Sequence, residues 1–96
     1  SSEPKAQLVQ AEAWLKQRPN NAELLLALGR LSLMNHLWGK AKEYFLSSAQ
    51  LKPSAAAYGE LSRLLEQLGE EAKAKDYQHK FIADLSCLPE LPLPSQ

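Results

Sequence analysis

Sliding the sequence against itself by 33 residues brings Leu25 onto Tyr58, Leu28 onto Leu61, Gly29 onto Ser62, Arg30 onto Arg63, Leu31 onto Leu64, Ala41 onto Ala74 and Tyr44 onto Tyr77. Matched positions agree in role as well as in letter. Gly29 and Ser62 are small where two helices would cross closely, Ala41 and Ala74 are small on the returning helix, and Tyr44 and Tyr77 supply bulk. A repeat of this length restricts the chain to stacked hairpins, because one hairpin alone cannot bury its apolar side.

Punctuation and residue choice agree on helices. Breakers stand at Pro4, Pro19, Pro53 and the closing Pro89, Pro92 and Pro94, and the stretches between them hold one Val, one Ile and no Thr. Leu, Ala, Glu, Lys and Gln dominate instead, so the fold class is all-α with about five helices. A first helix is expected from an N-cap at Ser2 to Arg18, with Leu8, Ala11 and Leu15 as its apolar stripe and Trp14 beside it. Asn20 with Glu23 resembles a capping box for a second helix that fades near Asn35. The stretch 36–39 should turn the chain, and a third helix should run to Lys52. Ser54 caps a fourth helix carrying Tyr58, Leu61, Leu64, Leu65 and Leu68, which Gly69 stops. A fifth is expected from Glu70 to Leu85, with Ala74, Tyr77, Phe81 and Leu85 as its candidates for burial.

Ninety-six residues allow one small domain, which excludes a two-domain enzyme. Eleven basic residues balance eleven acidic ones, and Lys40, Lys42, Lys73, Lys75 and Lys80 alternate with Glu43, Glu70, Glu71 and Asp76. These read as solvated helix faces and give no footprint for nucleic acid, which needs clustered cations. No apolar run is long enough to span a membrane and no signal-peptide pattern is present. Cys87 is the only cysteine, so neither an internal disulfide nor a multi-thiolate metal site is expected.

The segment 22–55 resembles the tetratricopeptide repeat family through Leu28-Gly29, Trp38, Ala41, Tyr44-Phe45 and Pro53. A second unit follows with Ser62 in place of Gly, Gln78 in place of the second aromatic and Phe81 in place of a small residue. The resemblance divides the chain into the second helix of a truncated repeat (1–21), hairpins at 22–54 and 55–87, and a Pro-rich tail (88–96). It implies a short α-solenoid and a non-catalytic protein–protein interaction scaffold. In that arrangement Leu28, Gly29, Trp38, Ala41, Tyr44, Phe45, Tyr58, Leu61, Ser62, Ala74 and Tyr77 are packing residues. The first helix of each hairpin lines a concave groove, which places Arg30, Arg63, Glu23, Leu26, Leu33, Gly59 and Glu66 on the partner-facing surface. A first helix without its partner should expose apolar surface around Trp14 and self-associate.

Leu37-Trp38-Gly39-Lys40-Ala41, the run from Tyr58 to Glu66 and the Leu-Pro tail are also similar to the C-terminal part of the bacterial HemY-type membrane protein family. That resemblance implies an inner-membrane parent anchored by a segment outside this chain and associated with late haem (porphyrin) biosynthesis. Its partners would include haem-pathway enzymes.

Guanidinium forks suit bidentate recognition of carboxylates, phosphates or, under the second resemblance, porphyrin propionates, so Arg30 and Arg63 are the candidate anion contacts. The competing assignment pairs both with Glu23, Glu60 or Glu66 on the surface. A direct porphyrin-binding module and a purely structural end cap are the alternatives to the scaffold. His36, His79 and Cys87 do not form a metal or haem motif, and no catalytic elbow, phosphate loop or paired-carboxylate cleft can be placed. No enzyme activity, cofactor or metal is therefore expected. The tail 88–94 can cap the last hairpin through Leu88, Leu91 and Leu93, stay free, or dock on a partner.

Overall fold

A computed structural model describes residues 3–86, with side chains as far as Asp84. The order is α1 (Glu3–Gln17), α2 (Ala22–Met34), α3 (Trp38–Leu51), α4 (Ala55–Gln67) and α5 (Glu71–Ser86), with no strand among the described residues. Each helix packs on the next in the chain, most closely in the hairpins α2–α3 and α4–α5. The fold is all-α, as the composition requires, and is a short run of stacked helix hairpins.

Local chemistry sets the helix ends. Asn21, one residue later than expected, caps α2 by accepting from Leu24 N at 3.0 Å, and Glu23 is drawn instead to Lys52 at 3.0 Å. Ser54 does the same for α4, accepting from Ala57 N at 3.1 Å. Both hairpin turns use one motif. His36 N and Leu37 N donate to Leu33 O and Ser32 O, and Gly69 N and Glu70 N donate to Glu66 O and Leu65 O. The motif needs a left-handed residue, supplied by Gly69 at φ 80° and, without glycine's freedom, by His36 at φ 59°.

The hairpin cores are built on a glycine facing a phenylalanine. An added Cβ on Gly29 would lie 2.3 Å from Cε1 of Phe45, whose ring is completely buried. In the second hairpin the overlay puts Ser62 and Gln78 at those places, and Phe81 packs instead over Gly59, where an added Cβ would lie 3.4 Å from its Cε1. Gly59 lies three residues before Ser62 and Phe81 three residues after Gln78. In an antiparallel pair those shifts match, so the same contact has moved one helical turn away from the connecting turn.

Leu28 and Leu61, equivalent in the overlay, are both fully buried, as are Ala41 and, nearly so, Ala74. Burial of side chains the size of Leu61 or Phe45 contributes about 2–3 kcal/mol each. Leu28 joins Leu8 and Ala11 beneath Leu15, Leu24, Leu31 and Tyr44, which fastens α1 to the first hairpin. Leu61, Leu64 and Leu65 join Ala41, Phe45, Ala49, Ala57 and Ala74, which fastens the two hairpins together.

Some packing expectations are corrected. Trp38 opens α3 instead of lying in the turn, and it is 42% exposed with its ring edge-on to His36 at 5.3 Å. Tyr58 and Tyr77 do pack, half-buried, against the core between the hairpins and Tyr44 against the α1 cluster; Phe81 is half-buried, and Leu68 is exposed because it caps α4. Ser2 and the tail 88–96 lie outside the described residues, and so does the burial of Leu85.

Candidate functional site

Arg30 from the last turn and a half of α2 and Arg63 from the middle of α4 converge on one carboxylate. Arg30 Nε donates to Glu60 Oε2 at 2.7 Å, and Arg63 Nη2 donates to Glu60 Oε1 at 2.6 Å. Glu60 and Arg63 are three residues apart on one helix and so share a face, whereas Arg30 arrives from the neighbouring hairpin. The Arg63 guanidinium folds back over Gly59, where an added Cβ would meet Nη1 at an ordinary 3.6 Å.

Exposure within the cluster is unequal. The side chain of Glu60 is 12% exposed, against 52% for Arg30 and 69% for Arg63. Burial pushes the Glu60 carboxyl up, and the hydrogen bonds and charges of Arg30 and Arg63 outweigh it, so the group ionises below the ordinary carboxylate range. Two cations against one anion leave the cluster with a net positive charge. Each guanidinium has five N–H donors and spends one of them on Glu60, which leaves donors for a further carboxylate.

The other residues assigned to a groove separate. Leu26 and Leu33 are half-buried and pack against the core formed by α3, α4 and α5, and Gly59 is buried under Phe81. Leu33 and Gly59 therefore support the stack, and Leu26 supports it while one side reaches an open cleft. Glu23 is exposed and bonded to Lys52, and with Leu26, Ser48 and Ala56 it borders a small cleft of about 150 Å³. Glu66 borders a cleft of about 240 Å³ between α4 and α5 with Glu71, Ala74, Lys75 and Gln78. Arg30 and Arg63 are brought together through Glu60, and Glu23 and Leu26 share the rim of one cleft.

Several of the charges read as solvated faces join helices instead. Glu12 on α1 accepts from the Tyr44 hydroxyl at 2.5 Å and pairs with Lys40 at 2.7 Å, both on α3. Lys42 reaches Glu70 at 3.0 Å, and Glu70 also pairs with Lys73 at 3.3 Å. No sequence signal marked Glu12, because its partners lie 28 and 32 residues away with no fixed spacing rule. The Glu12 carboxyl is held below its ordinary range by the Lys40 and Tyr44 hydrogen bonds. Burial and the Glu12 carboxylate push the Tyr44 phenol up to about 12.

His36 sits in the α2–α3 turn and His79 on α5, and no group of three His, Cys, Asp or Glu that could hold a metal is found among the described residues. Cys87 lies outside them. No described helix is long and apolar enough to cross a membrane. Trp14 on α1 is 53% exposed and Val9 60%, flanked on the outer side by Gln10 and Gln17. No protein-family model matches this chain, and no curated protein matches it either.

Proposed function

We infer that this chain is a non-catalytic interaction scaffold of the tetratricopeptide type, which recognises an acidic segment of another protein through Arg30 and Arg63. The observation that carries this reading is the cluster around Glu60. A buried acid holds two mostly exposed guanidiniums side by side on neighbouring hairpins, which preorganises them at little further entropy cost on binding. Under the HemY-type resemblance the array belongs to a bacterial inner-membrane protein, and the partners are enzymes of late haem biosynthesis.

The test is affinity capture with the wild-type chain and with an Arg30→Glu, Arg63→Glu double variant, at low and physiological salt. Proteins retained by the wild type and lost by the variant, with circular dichroism unchanged, are the expected outcome. Identical capture by both chains would overturn the reading.

A second reading, that the α4–α5 hairpin closes the end of an array, is favoured by one comparison. The face of the first hairpin that receives the second carries Leu33 and Leu46, packed against the shared core. The overlay replaces them with Glu66 and His79, a polar outer face of the kind that terminal hairpins need. Glu66→Leu with His79→Leu should then convert a monomeric end into a sticky one, read by light scattering; an unchanged mass would count against it.

A further inference from the structure

A single carboxylate closes the gap between α1 and α3. Glu12 takes the hydroxyl proton of Tyr44 in a hydrogen bond and the ammonium of Lys40 in an ion pair. The 33-residue overlay carries Tyr44 to Tyr77 and Lys40 to Lys73. Aligning Pro19 with Pro53, which follow α1 and α3, carries Glu12 to Leu46. The gap between α3 and α5 therefore has the tyrosine and the lysine but no acid at the position of Glu12, and its lysine pairs instead with Glu70.

A groove of about 540 Å³ opens at that place, with Leu46, Leu65 and Tyr77 as apolar lining and Lys42, Lys73 and Lys80 among its polar residues. The Tyr77 hydroxyl makes no hydrogen bond among the described residues. Lys80 lies over the Tyr77 ring, 5.2 Å from its centroid, and forms no ion pair among the described residues. Lys42 and Lys73 share Glu70, and Asp76 stands on the rim, so three ammoniums face two carboxylates.

We propose that the groove between α3 and α5 binds a small amphiphilic monocarboxylate. Its carboxylate occupies the position that Glu12 holds in the first interface, accepting from the Tyr77 hydroxyl and from Lys73 or Lys80. Its aliphatic or aromatic body covers the half-buried Leu46 and Tyr77. One unit of excess positive charge matches one carboxylate, and Asp76 repels a second negative charge, which selects against a phosphate dianion. The site shares no residue with the Arg30, Glu60 and Arg63 cluster, so it stands whether or not the scaffold reading does.

The experiment is an NMR amide titration of the full chain with decanoate, and with decyl phosphate and decylammonium as comparison arms. Saturable shifts confined to the residues around the groove are expected for decanoate, with at least about tenfold weaker binding of the other two. Leu46→Glu supplies the missing acid from the chain itself and should abolish decanoate binding. Tyr77→Phe keeps the ring and should weaken binding about fivefold. Shifts that do not saturate by about 5 mM, equal binding of decylammonium, or full binding by either folded variant would overturn the proposal.

Discussion

The ring of Phe45 fills the space that a side chain at Gly29 would need, with Cε1 2.3 Å from the ideal Cβ position. Phe45 is wholly buried and cannot swing aside without opening the first hairpin. Gly29→Ala should therefore cost about 3 kcal/mol by overpacking, even though alanine is the better helix former. Gly59→Ala meets Phe81 at an ordinary 3.4 Å and should fall between neutral and about 1 kcal/mol stabilising. Urea denaturation of both variants checks the contrast, and equal effects would remove the distinction between the two notches.

The glycines near the two hairpin turns give opposed predictions, because only Gly69 is left-handed. Gly69→Ala has open space around it, so its cost of about 1–2 kcal/mol comes from the backbone alone. Gly39→Ala, also in open space but in the first turn of α3, should stabilise by about 0.5–1 kcal/mol. Thermal melts of the two single variants should move in opposite directions.

Tyr44 makes stability depend on alkaline pH. Its phenol moves from 10.0 to about 12 because burial and the Glu12 carboxylate oppose ionisation, so the folded chain holds the proton more tightly than the unfolded one. The stabilisation is complete below about pH 10 and is lost as pH rises through about 12. Glu12→Gln removes the charge but not the burial, and should bring the tyrosinate absorbance transition of Tyr44 part of the way back down.

Glu60 acts at the acid end. Its carboxyl titrates below the ordinary 4.5 in the folded chain, so its contribution is complete above that value and is lost as pH falls through the lower one. The carboxyl carbon of Glu60, followed by NMR, should titrate below its ordinary range and return toward it in the Arg30→Ala, Arg63→Ala double variant. Retention of the low value without both arginines would remove them as its cause.

Both tryptophans are open to solvent in the single chain, Trp14 by 53% and Trp38 by 42%. At low concentration each should be quenched readily by acrylamide. Association through α1 would protect Trp14 and leave Trp38 accessible as concentration rises, a difference that Trp14→Phe and Trp38→Phe single-tryptophan variants separate. Equal accessibility of both at all concentrations would exclude that mode of association.

The repeat, the prolines and the Ser54 cap were legible because they act locally or through a fixed period. Leu28 and Leu61, Ala41 and Ala74, and the hairpin stop at Gly69 could be placed from spacing alone, since one helix face repeats every few residues. The partners of charged side chains could not. Whether Arg30 meets Glu23, Glu60 or Glu66 depends on the rotation and separation of helices about 30 residues apart, which packing of Phe45 and Leu61 fixes only once the hairpins have stacked. For the same reason the carboxylate of Glu12 between two helices, the open groove where Leu46 replaces it, and the exposure of Trp38 belong to the tertiary structure. The sequence determined which helices form and which faces they bury; the angle and depth at which they meet decided which polar groups became neighbours.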